Sequence, residues 1–264
     1  MKMRRPAVAG AFYPDEPDAL KRNIDAMLFE AEVGSHKKSP KALIAPHAGY
    51  IYSGPTAAAA YALLDPERVK RVVLLGPTHR FLLSGLALPD VDAFETPLGK
   101  VPLDRETIRK ISAMEQVHIN NESHAYEHSL EVHLPFLQAR LKTFTLIPLA
   151  VGQAKPELVA EVLDAVWGGD ETLIIISSDL SHFHSYDKAM RIDQQTVESI
   201  LNKEPTITHE QACGASPING LLYNMGRHPL KPELIDFRNS GDTAGPRDQV
   251  VGYAAIAFYE QVAS

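Results

Sequence analysis

Apolar positions along this chain fall into two alternating patterns. Short, mostly apolar runs, Ala42–Ala45, Arg71–Leu75, Gly85–Leu88, Thr145–Val151, Leu173–Ser177, Leu234–Arg238 and Gly252–Tyr259, read as strands. Between them, three-to-four-residue periodicity predicts amphipathic helices over Asp18–Val33, Pro55–Leu64, Arg105–Met114, Leu130–Leu141, Glu157–Trp167, Lys188–Asn202 and Glu210–Met225. The apolar strands among them lack an in/out alternation, which supports burial on both faces. Strands alternating with helices predict an α/β fold of three layers, a largely parallel or mixed central sheet with helices on both faces. The one stretch of loop composition is Gly34–Pro40, and no repeat or Ser/Gly linker divides the rest. A single domain over residues 1–264 is therefore expected. Pro135 interrupts the Leu130–Leu141 pattern, where it either opens a helix in its first turn or kinks one.

Three of the strand runs end in polar motifs. Ala42–Ala45 leads into Pro46-His47-Ala48-Gly49-Tyr50, Arg71–Leu75 into Gly76-Pro77-Thr78-His79, and Leu173–Ser177 into Ser178-Asp179-Leu180-Ser181-His182. Ligands of open α/β sheets sit beyond the carboxyl ends of the strands, so these motifs predict one site on one rim. A histidine after a strand can simply cap a turn. Two of them at equivalent strand ends, His47 and His79, also supply the neutral nitrogens of a two-imidazole metal site. Asp179 either caps a turn or lies beside His182, fixing its tautomer and making it a general base.

The segment from Ser123 to His133 is dense in imidazole and carboxylate, and it lacks the His-Glu-x-x-His order of metalloproteases. His124 with His128 and Glu127 with Glu131 share a face if the segment is helical. Glu127 and His128 are read as a polar pocket wall, against the alternative of a solvated helix face. Tyr52, in the small-residue stretch Gly49–Gly54, is a further pocket candidate. Cys213 follows Thr208 and Gln211, which have capping-box spacing, so it is placed early in a helix whose N-terminus would lower its thiol pKa. The alternative is a small buried apolar residue.

Composition narrows the class. With 45% hydrophobic and 22% charged residues the chain is that of an ordinary globular protein. Its formal charge of −7 argues against nucleic-acid partners and anionic membranes. A single cysteine excludes an internal disulfide and fits a reducing cytoplasm. No apolar stretch reaches the ~20 residues that span a bilayer, and Ala7–Pro14 is too short for a signal-peptide core.

Taken in order, Arg5–Pro14, Pro46–Gly54, Gly76–His79, Glu127–Pro135, Ser177–His182 and Cys213-Gly214 resemble the Memo family, also called protein B of the AmmeMemoRadiSam system. That resemblance implies a fold like the class III extradiol dioxygenases, which hold Fe(II) with two histidines and a carboxylate. It assigns His47 and His79 as imidazole ligands, His182 as the base, and Cys213 at the place of the dioxygenase glutamate. A thiolate is softer than a carboxylate and oxidisable, so the resemblance favours iron or copper binding over ring cleavage. The expected cofactor is one transition-metal ion, iron or copper, with zinc as a third choice. The expected function is a metal-binding, redox-active protein. The alternatives are an active extradiol-type dioxygenase, a non-catalytic pocket for a peptide or protein, and zinc-assisted hydrolysis. Implied partners are AMMECR-type and radical-SAM proteins, with a small aromatic or peptide ligand.

Overall fold

A computed structural model describes residues 1–31 and 39–261. Most of the Gly34–Pro40 loop and the end of the Asp18–Val33 helix lie outside the described residues. The elements run β1 (Met3–Arg4), α1 (Pro17–Ala31), β2 (Ala42–Ala45), α2 (Tyr50–Tyr61), β3 (Arg71–Pro77), β4 (Leu86–Leu88), β5 (Ala93–Thr96) and β6 (Gly99–Pro102). They continue with α3 (Arg105–Ile111), β7 (Val117–Ile119), α4 (Glu122–Ala125), a 3-10 turn (Glu131–His133), α5 (Leu134–Arg140), β8 (Thr145–Val151), α6 (Pro156–Val166) and β9 (Thr172–Ser177). Last come β10 (His182–His184), α7 (Tyr186–Leu201), α8 (Ala215–Asn224), β11 (Leu230–Asn239) and β12 (Val250–Glu260).

Among the described residues the main sheet has nine strands, in the order β10-β12-β2-β9-β3-β8-β4-β7, with β11 on the other edge of β12. Its centre, β2-β9-β3-β8, is parallel, and β12 and β4 flank it antiparallel. The sheet is thus mixed around a parallel core. Every residue of β2 and β9 is buried whichever face it points to, so helices cover both sides. One helical layer packs α1, α2 and α5 together, with α2 against β2, β11 and β12. Elsewhere α6 packs on α8, which reaches β3, and α7 lies on β11 and β12. A second small sheet, β1-β5-β6, was not foreseen, because its strands of two to four residues carry no readable period.

Three helices begin four or five residues from where periodicity placed them. Helix α2 starts at Tyr50 and carries Pro55 in its interior. Helix α8 starts at Ala215 instead of near Glu210. Gln211 Oε1 does accept the Thr208 amide, at 2.9 Å, but this bond closes a turn and no helix follows it. Pro217 explains the delay: it fits the first helical turn, where its missing N–H costs nothing, and would break a helix begun at 210. Pro135 resolves in the same way. It stands at the N-terminus of α5, after the 3-10 turn, and opens that helix. Glu127 lies in the non-helical stretch between α4 and the 3-10 turn that Glu131 opens, so the two do not share one helical face. No helix among the described residues is long and apolar enough to cross a membrane.

Candidate metal centre

The carboxyl ends of β2, β3 and β9 point their loops at a common place. His47 follows β2, His79 follows β3, and Asp179 follows β9. His128 comes in from the turn between α4 and the 3-10 segment. Potential ligand atoms of His47, His79 and His128 lie within 4.8 Å of one another. The rings of His79 and His128 stack at 4.6 Å, while His47 meets them edge-on at 5.1 and 5.3 Å. His47 is buried, His128 half-buried, and the side chain of His79 is 30% exposed, so the cluster opens to solvent on the His79 side.

Glycine and serine chemistry brings these segments so close. A Cβ on Gly76 would sit 2.9 Å from Ser129 Oγ and from Leu130 Cδ2. Without one, the Ser129 hydroxyl reaches the Pro77 carbonyl at 2.7 Å and ties the His128 turn to β3. A Cβ on Gly214 would lie 2.6 Å from the Ser177 carbonyl. Its absence seats Cys213 against the end of β9, where Gly214 N donates to Ser178 Oγ at 2.9 Å.

Glu127 orients the imidazoles. Its Oε1 accepts from His79 Nδ1, His128 N and Ser129 N, each at 2.9 Å, and its Oε2 accepts from His79 N at 2.6 Å. Burial alone would raise its pKa, but the bonds and charge of His79 with the backbone donors overcome that and bring it to about 2. Donation from His79 Nδ1 leaves Nε2 as the free ligand atom. Burial holds His47 well below its ordinary pKa, and neighbouring imidazoles add to the effect. Burial, then the charge of His79, takes His128 down to about 4. Burial thus favours the neutral form of His47 and His128, which is the form of imidazole that binds metal.

Cys213 Sγ lies 3.3 Å from His47 Nε2 and accepts from Asp179 N at 3.3 Å. It does not sit inside a helix. It precedes α8, and burial, reinforced by the Asp179 charge, pushes its thiol up to about 12. The expected lowering by a helix N-terminus is reversed because desolvation outweighs a partial dipole. Asp179 likewise takes a different part from the one expected of it. Its Oδ1 accepts the His47 backbone N–H at 2.8 Å, and Oδ2 stands 3.9 Å from His47 Nε2. It fastens the β2 loop, and no bond to His182 appears among the described residues. Burial raises Asp179 to about 7.

His182 opens β10 across from Val251 and is half-buried, with burial and then the His79 charge lowering its pKa. Tyr52 is half-buried in the first turn of α2, its ring beside Gly49. Phe12 was not foreseen. Its ring packs 4.7 Å from that of His128, and its carbonyl accepts from Tyr50 N at 2.8 Å, so the N-terminal segment closes one side of the cluster. The two contacts join segments far apart in the chain, and no local pattern marks them.

A family model described as Memo-like protein matches residues 4–257. The chain belongs to the Memo family. A MEMO1 family protein of Aquifex aeolicus is 37% identical over 272 residues, covering 98% of this chain and all of that one. Another, of Metallosphaera sedula, is 32% identical across 97% of this chain and 99% of its own. The solved structure of an uncharacterized protein, JW3007, from Escherichia coli K12 superposes with a TM-score of 0.54 at 12% identity. It covers 83% of this chain and 99% of that one, a likeness of fold alone. Family membership and a three-histidine group able to hold a metal ion therefore stand together on one scaffold.

Proposed function

We propose that this chain is a metalloprotein that holds one transition-metal ion, iron or copper, at the imidazole cluster and uses it in redox chemistry. The observation that carries the reading is the convergence of His47, His79 and His128 within ligand distance of one another, with His79 turned by Glu127. Three imidazoles suit iron, copper or zinc, and the thiol of Cys213 beside His47 adds a soft donor that favours copper or iron in a redox role. A bound ion of this kind supplies one-electron chemistry and a Lewis acid to a molecule entering from the exposed His79 side. The protein's own part is to present oriented imidazole nitrogens, to exclude water from the His47 side, and to hold His182 nearby.

Both carboxylates that a two-histidine, one-carboxylate iron site could draw on here are already engaged by backbone or imidazole N–H donors. Glu127 already accepts from three N–H donors on Oε1 and one on Oε2, and Asp179 Oδ1 is bonded to the His47 amide. That weighs against extradiol ring cleavage as the first reading. One observation favours it as a second: a half-buried, neutral His182 stands near the imidazoles, where a general base belongs.

The test is elemental analysis of protein purified without oxygen, then oxygen uptake with a panel of catechols. The wild type is expected to carry one iron or copper per chain, and the double variant His47→Ala with His79→Ala none. Equal metal in both would overturn the reading. Catechol-dependent uptake that disappears in His182→Ala would move the second reading to first place.

A further inference from the structure

Beneath His47, on the side away from Cys213, runs a line of buried polar groups that metal coordination does not itself require. Tyr61 Oη lies 2.6 Å from His133 Nδ1, and His133 Nε2 lies 2.8 Å from Ser177 Oγ. Ser177 Oγ donates to the Ser129 carbonyl at 2.6 Å and meets His47 Nδ1 at 2.6 Å. Tyr61, His133, Ser177, Ser129 and His47 are all buried.

The protons along this line can be placed one after another. Burial holds the Tyr61 phenol well above its ordinary range, so it keeps its proton, and His133 Nδ1 is the partner within reach. Tyr61 therefore donates and Nδ1 accepts. Burial takes His133 down to about 3, so the ring is neutral and its single proton resides on Nε2, from which it donates to Ser177 Oγ. The Ser177 proton goes to the Ser129 carbonyl. Turning it toward His47 would break that 2.6 Å bond. Ser177 Oγ thus faces His47 as an acceptor, and His47 Nδ1 must donate.

We infer that His133, oriented by Tyr61, is a positioning residue that acts through Ser177 to lock His47 in the tautomer whose Nε2 lone pair faces the metal centre. The inference rests on the reading of His47 as a ligand, and it adds that the ligand's tautomer is set two bonds away by a residue that touches no ligand. Orientation of a ligating imidazole through its other ring nitrogen is a recurrent determinant of metal affinity.

The test reads the His47 tautomer by long-range 1H–15N correlation spectra of the metal-free protein, and metal affinity by optical titration with cobalt(II). Wild type is expected to show His47 protonated at Nδ1. His133→Leu is expected to mix the tautomers and weaken cobalt binding by about 10- to 100-fold. His133→Gln should restore both, because its oxygen can accept from Tyr61 and its amide can donate to Ser177. If His133→Leu does not fold, Tyr61→Phe is compared with wild type, and a mixed His47 tautomer is expected there too. A wild-type His47 protonated at Nε2, or a tautomer unmoved in both His133→Leu and Tyr61→Phe, would overturn the inference. A wild type that binds no cobalt while its tautomer responds as described would remove the metal reading and leave the positioning role standing.

Discussion

Glu127 and Glu131 are the same residue type, four positions apart, both buried, and they serve opposite ends. Glu131 is closed in completely. It pairs with the buried guanidinium of Arg4 and accepts from Ala7 N at 2.7 Å, Val8 N at 3.0 Å and Tyr13 Oη at 2.5 Å. Arg4 in turn donates to the carbonyls of His124 at 3.0 Å and Glu127 at 2.6 Å. All of this fastens the N-terminal segment to the floor of the His128 turn. Glu127 has no guanidinium partner among the described residues and bonds the His79 imidazole through Nδ1, which leaves its Nε2 open to a metal. A carboxylate with its own guanidinium becomes a fastener, whereas one bonded to an imidazole N–H becomes a device for orienting a ligand.

Removing the fastener should have the largest effect on stability. Glu131→Ala would leave the Arg4 guanidinium buried and unpaired, a loss of about 3–5 kcal/mol. Chemical denaturation followed by fluorescence measures it. A loss under about 1 kcal/mol, the range of exposed pairs, would show that the Arg4 pair is wet and that the contrast drawn above fails.

Asp193 sharpens the contrast as a third buried carboxylate, one with neither cation nor imidazole among the described residues. It lies on α7 against Gly252, with Oδ1 accepting from Ser181 N at 2.9 Å and Oδ2 unpartnered. Burial raises its pKa to about 6. An acid whose folded pKa is raised binds its proton more tightly in the folded state. Its effect on stability is therefore most favourable at low pH, declines between about 4 and 6, and is flat above. Across that window Asp193→Asn should gain on the wild type by about 3 kcal/mol, the free-energy equivalent of the shift. Paired denaturation curves at several pH values give this difference directly, free of other carboxylates. A constant difference from pH 4 to 7 would mean that Asp193 finds a donor and belongs with Glu131.

How much of this was legible in the chain follows the range of each interaction. The runs that became β2, β3, β8 and β9 were plain because both their faces are covered, so nearly every position is apolar. His47 and His79 were found by their place after such runs, a local signal. Glu127 and His128 stood out by density, although the chain leaves α4 at Tyr126 and regains helical turns only at Glu131, which undoes the helical pairing read from spacing. Cys213 was found near the site but given the wrong local setting, since Pro217 delays α8 and burial governs the thiol. Arg4 with Glu131, and Ser177 with His133, were invisible. Their partners lie 127 and 44 residues away, and buried polar pairs at such separations leave no periodic trace.

The smallest expected effect tests Glu127 itself. Glu127→Gln keeps one acceptor oxygen, which can serve the three donors now gathered on Oε1, but it turns an NH2 toward the His79 amide or, if flipped, toward those three. Some donor is left facing a donor, so His79 loses the fixed direction of its ring. Metal affinity should fall about 10- to 100-fold, equivalent to about 1.4–2.7 kcal/mol, while the loss of folding stability stays below that of Glu131→Ala. Competition titration with a chromophoric chelator, run beside a denaturation curve, separates the two quantities. If the variant bound metal as tightly as wild type and lost only stability, Glu127 would be a second fastener. The three imidazoles would then owe their arrangement to the sheet ends and glycines alone.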